Sequence, residues 1–135
     1  YGTATGSNSY AGYFDGDVAI GDNSPKKATG YRLSVDGKIA AEEVLVDLDG
    51  DWPDYVFHND YDLKSLDEVK SHIQDKGHLP NVPSAQEIQD NGILLGNMNK
   101  VRLEKIEELT LYILQQEEKL KNYELRITKL EKGKQ

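Results

Sequence analysis

The chain has 135 residues, no cysteine and a formal charge of −8, with 17 acidic against 7 basic residues up to Asn97 and 7 against 9 from Met98 onward. That balance excludes disulfides and thiolate metal sites, and the acidic front speaks against nucleic-acid binding, which needs a basic surface to replace phosphate counterions. No apolar run approaches the roughly 20 residues of a membrane span, and no signal peptide is recognisable; the chain opens at Tyr1 inside a Gly-rich pattern and reads as a fragment of a longer protein.

Before Val44 the aliphatic and aromatic residues are scarce and Gly, Asp, Ser, Thr and Asn dominate. Ordering each residue costs about 1–2 kcal/mol, so a monomer burying little of this stretch needs contacts from outside itself. Residues 1–50 hold a loose internal echo: Ala11 to Gly21 is followed by Thr29 to Ala40, each running Gly-Tyr, an extended piece, Asp-Gly, then a β-branched residue and Ala. Asp-Gly between apolar residues favours a tight turn, because Gly accepts positive φ. Arg32-Leu33-Ser34-Val35 alternates with the two-residue period of a half-buried strand. The expectation is a β-rich shaft segment over 1–50, stacked against copies of itself.

Glu43 to Leu48 reads as a further strand, Asp49 to Asp54 as a turn, and Tyr55-Val56-Phe57 as a second extended piece. Trp52 and Tyr55 are the large payloads expected to anchor a small helical knot over 51–96. Two capping boxes mark helix starts there, Ser65-Leu66-Asp67-Glu68 and Ser84-Ala85-Gln86-Glu87. The first helix should turn Val69 and Ile73 inward and stop at Gly77; the second should end near Asn91-Gly92. Leu79-Pro80-Asn81-Val82-Pro83 between them cannot be helical, since each Pro biases its predecessor to extended geometry. It is expected to cross as a rigid strap.

From about Asn97 to Glu131 there is neither Gly nor Pro, and 97–135 reads as a coiled coil. Apolar positions fall at 3,4 spacing, with Ile106, Ile113, Leu120 and Ile127 at a and Leu109, Gln116, Tyr123 and Leu130 at d. A seven-residue period implies a left-handed supercoil with partner helices. In a parallel coil a g residue faces the e residue of the next heptad on a neighbour, so Lys119 meets Glu124 and Arg126 meets Glu131. Each exposed pair is worth only a few tenths of a kcal/mol, which sets orientation more than stability. Ile at a with Leu at d favours two strands, whereas Gln116 and Tyr123 at d suit the wider core of a homotrimer. Leu103, Leu111 and Leu114 lie off the seam and are expected to pack on the knot. The alternative is a long amphipathic helix folding back on its own domain.

Signals for chemistry are sparse. Asp47, Asp49, Asp51 and Asp54 around Gly50 resemble part of a calcium loop, but the distal bidentate Glu is missing and Pro53 interrupts it; solvated turn carboxylates are the plainer reading. His58, His72 and His78 form no His-x-x-x-His or Glu-x-x-His pair, so no catalytic metal is expected. Gly2, Gly6 and Gly12 are not a phosphate loop, and no Gly-x-Ser-x-Gly elbow exists. Neither an active site nor a cofactor is expected. Tyr13, Tyr31, Trp52 and Tyr55 would stack on sugars if exposed, although aromatics in a core-poor chain are more often buried.

Three blocks carry a resemblance. Asp17-Val18-Ala19-Ile20-Gly21 with Tyr31 to Ile39 resembles a segment found ahead of tail-fibre C-terminal domains. Trp52 to Phe57, His78-Leu79-Pro80-Asn81-Val82-Pro83-Ser84 and Glu104 to Tyr112 resemble the tail-fibre-domain proteins of Bacteroidetes bacteria and their phages. In layout the chain is similar to the endosialidase-type intramolecular chaperones. The resemblance implies a homotrimeric structural domain on a virion tail fibre or cell surface, with a glycan or protein receptor as a possible partner, and in some members self-cleavage. The cleavage motif of those chaperones reads Ser-Asp-x-x-Leu-Lys; Asn59-Asp60-Tyr61-Asp62-Leu63-Lys64 has its spacing with Asn59 in place of the nucleophile, which implies no cleavage here.

Overall fold

Local rules account for most of the helices in the computed structural model, which describes residues 14–21, 30–50 and 52–133. Helix α1 spans Leu66–Lys76 and α2 spans Ala85–Asn91, each opened by a complete capping box in which Ser65 or Ser84 trades hydrogen bonds with Glu68 or Glu87. The Ser65 hydroxyl and backbone N–H hold the Glu68 carboxyl below its usual range. Gly77 ends α1 in the left-handed region at φ 77°, as the sequence predicts, and its N–H donates to the Ile73 carbonyl. Helix α3 runs from Leu95 to Lys132 without a break.

The β-rich expectation is wrong. Of the described residues 55% are helical and 5% lie in strands. Those strands, β1 (Val18–Ile20) and β2 (Leu33–Val35), form one parallel pair with Val18 opposite Leu33 and Ile20 opposite Val35. The echo is not a structural repeat: β1 follows its Asp-Gly and β2 precedes its own. A parallel ladder of three residues offers few hydrogen bonds, and the apolar side chains around it have little to cover them. Phe14 is 68% exposed, Ile39 69% and Leu45 91%. The Arg32–Asp17 ion pair, 3.6 Å long and open to solvent, adds little. Ala11, Gly12, Tyr13 and Thr29 of the echo, with Gly2, Gly6 and Asp51, lie outside the described residues.

The chain divides into two compact units, residues 1–45 and 46–135. In the second unit two more extended segments are corrected. Glu43 to Leu48 forms no strand; Val46 and Leu48 share a side, as alternation requires, but their partner is α3 at Gly96. A Cβ built on the buried Gly96 would stand 2.6 Å from Val46 Cγ1 and 2.9 Å from Leu48 Cδ1, so the crossing depends on that glycine. Tyr55 to Phe57 is not extended either: Pro53–Phe57 is a 3-10 helix with Pro at its start. In that geometry residues i and i+3 fall on one side, which brings Pro53 and Val56 together as the most deeply buried side chains among the described residues.

Candidate functional site

Two features of α3 stand out, one tied down by the chain and one left open. The first is the face that grips the knot. Glu104, Glu108 and Tyr112 advance by four residues along one side of the helix. Tyr55 in the 3-10 helix donates its hydroxyl to Glu104 Oε2 at 2.5 Å, and Tyr61 donates to Glu108 Oε1 at 2.6 Å. Between the two carboxylates Lys105 Nζ lies 2.9 Å from Glu104 and 2.8 Å from Glu108, with all three side chains largely covered. Tyr112 donates to the Lys64 carbonyl at 2.6 Å, fixing the segment that leads into α1.

Charge sharing runs through this cluster. Burial alone would raise Glu104, but the hydrogen bonds from Tyr55 and Lys105 outweigh it and the carboxyl ends below its usual range. Burial likewise works against the Lys105 ammonium, and contacts with Glu108 and Glu104 reverse it, leaving the lysine raised. The hydrogen bond to Glu104 pushes the Tyr55 phenol up to about 12. Tyr61 is raised too, first by burial and then by Glu108. One member is uncompensated: Glu107 is 8% exposed and its Oε2 has no hydrogen-bond partner. Burial, with Asp54 and Glu104 nearby, raises its carboxyl.

The second feature is the heptad seam. Ile106, Leu109, Ile113, Leu120, Tyr123, Ile127 and Leu130 are all between 54% and 66% exposed, and Gln116 is exposed as well. The knot covers a different side of α3, so within the described residues the helix does not fold its seam back on its own unit. Beyond Tyr112 every described residue of α3 is exposed. Among the described residues no intrachain ion pair engages Lys119, Glu124, Arg126 or Glu131; the ion pair in this stretch joins Lys121 to Glu117 at 2.8 Å. Leu103 and Leu111 are half-buried as expected off the seam, but Leu114 is 54% exposed.

The remaining candidates separate cleanly. Trp52 is 47% exposed, whereas Tyr55 is half-buried and held by its hydroxyl. Asp47 and Asp49 are exposed, and no group of three or more His, Asp or Glu among the described residues is arranged to hold a metal. His72 and His78 stack edge to face at 5.3 Å. Asn59 is exposed in a turn. Val69 is half-buried but Ile73 is 42% exposed, so α1 turns inward less than its pattern suggested.

Sequence reasoning missed the clamp of Tyr55, Tyr61 and Tyr112 on Glu104, Lys105 and Glu108. The available signal was the i, i+4, i+8 spacing of Glu104, Glu108 and Tyr112 on a face distinct from the seam. Its partners lie 47 to 49 residues away and have no local signature. No protein-family model matches the chain, and neither a curated protein nor a solved structure matches it significantly.

Proposed function

We propose that the chain is a structural assembly domain: α3 associates with identical helices in parallel register as a homotrimer, and the knot clamped to its first turns aligns the polypeptides that enter it. The observation that supports this most directly is the seam itself. Seven large apolar or aromatic side chains at heptad spacing stand open along a 38-residue helix whose other side the knot engages as far as Tyr112. Burying an aliphatic side chain is worth about 1.5–3 kcal/mol, so the exposed stripe is a strong drive to associate. Lys119, Arg126, Glu124 and Glu131 are placed for attractive g-to-e pairs only in the parallel arrangement. Gln116 and Tyr123 in the d layers favour three helices over two.

The resemblance to tail-fibre C-terminal domains supports a place at the end of a virion or surface fibre, where bringing three chains into register lowers the loop-closure cost of aligning them. Ile113→Asp tests the reading. The charge enters the seam at a side chain that is 63% exposed and makes no part of the clamp, so light scattering should show loss of the oligomer and circular dichroism a loss of helix beyond the knot. Full assembly and unchanged helicity in that variant would refute it.

A second reading, a glycan- or receptor-binding tip, draws on Trp52 at 47% and Phe57 at 52% exposure, flanking and ending the 3-10 helix. A glycan array signal lost in Trp52→Ala would support it; a signal unchanged by that substitution would set it aside.

A further inference from the structure

Helix α1 has a complete capping box and a left-handed glycine stop, yet none of its 11 residues is buried. An isolated helix of that length is marginal in water. Leu66, Val69 and Ile73 recur at i, i+3 and i+7 to make an apolar stripe, with Leu66 50% and Ile73 42% exposed. Between this helix, the strap and α3 lies a groove of about 100 Å³, lined by Leu66, Val69, Leu79, Pro80, Leu109 and Tyr112. That is the scale of the space left when a core leucine is truncated.

The groove's position in the heptad is what identifies an occupant. Lys105 and Tyr112 are g residues and Leu109 is a d residue, so the groove opens on the g side of the seam and shares Leu109 with it. Leu114 is a b residue on the opposite, e side, 54% exposed and left uncovered by the chain's own knot, unlike Leu103 and Leu111; Leu125, an f residue 61% exposed, is also uncovered but lies more than a heptad beyond the groove. In a parallel, in-register coil Lys105 faces the neighbour's Thr110, and Tyr112 faces the neighbour's Glu117. Leu114 lies between Thr110 and Glu117 along the helix, one position further out. The register therefore delivers it to the groove's mouth.

We propose that Leu114 of a neighbouring copy of this chain fills the groove between α1 and α3, so that each knot is completed by the helix next to it. This rests on the parallel coil put forward above and extends it from the seam to the knot. Assembly then orders α1, and the seam and the knot form together.

The chain has no cysteine, so a disulfide test has no background. Leu114→Cys is combined in turn with Val69→Cys and Leu66→Cys and oxidised mildly. Covalent dimers and trimers on a non-reducing gel are expected from at least one pair and from none of the three single variants. An oligomer in sedimentation that gives no interchain bond from either pair overturns the groove proposal and leaves the coil intact; a folded monomer overturns both. Independently, Leu114→Ser should keep the oligomer while amide exchange in α1 speeds up about tenfold or more. Unchanged α1 protection in an assembled Leu114→Ser would also overturn it.

Discussion

Tyr55 shows how a single hydroxyl holds the knot to α3. Its O–H satisfies Glu104 Oε2, an atom with no other hydrogen-bond partner among the described residues, while Oε1 keeps Lys105. Tyr55→Phe strands that oxygen in a largely covered site, and we expect a loss of about 1–3 kcal/mol in urea unfolding of the knot. The same bond makes the knot sensitive to base. A phenol whose folded pKa is raised to about 12 contributes stability that is complete below about pH 10 and is lost as pH climbs through the folded value. Wild type should therefore weaken between about pH 10 and about pH 12, and Tyr55→Phe should weaken less steeply; parallel profiles would refute the assignment. Glu107 works in the opposite pH range. Its carboxyl is raised, so its contribution is complete in acid and lost as pH rises through the folded value. Glu107→Met, which keeps length and removes the buried charge, should stabilise the knot at neutral pH by about 1 kcal/mol or more. The advantage should vanish in acid; an equal gain at both pH values would argue against a charge effect. Of this cluster only Tyr55 was picked out beforehand, as an anchor of the knot, and its partner was not. Glu104 and Lys105 look like ordinary solvated helix residues until the tyrosines arrive from a distant segment.

At the scale of elements, the parts that depend on a few neighbouring residues were readable and the parts that depend on partners were not. Ser65, Ser84 and Gly77 announce their caps because the hydrogen bonds close within four residues. The uninterrupted helix after Asn97 follows from equally local rules, and so does the absence of helix at Pro80 and Pro83, although that segment turns at Leu79 to Val82 with Asn81 at φ 62° instead of crossing as an extended strap. The strands failed because alternation says that one side is covered without saying by what. Val46 and Leu48 alternate correctly, but α3 covers them at Gly96, not a neighbouring strand. Pro53 and Val56 fit a 3-10 turn as well as they fit an extended run, and burial of both decides for the turn. Gly96→Ala tests the crossing. Its methyl would stand 2.6 Å from Val46 Cγ1, so melting should drop, by roughly 1–3 kcal/mol in stability. Gly96→Ala paired with Val46→Ala should recover part of the loss; no recovery would mean that the strain lies elsewhere.

For the whole molecule, the division of labour along α3 carries the argument. Its N-terminal half, as far as Tyr112, holds the knot through tyrosines and a bridged pair of carboxylates; along its length runs an apolar stripe that nothing among the described residues covers. A free helix in water gains little from its own hydrogen bonds and draws most of its stability from packing one face. Parallel association of identical helices supplies that face, and it fits the unused charges at Lys119, Glu124, Arg126 and Glu131. Sedimentation equilibrium across a wide concentration range tests this most directly. We expect one species at three times the 15.2 kDa chain mass. A helical, folded species that stays at 15.2 kDa throughout would contradict it.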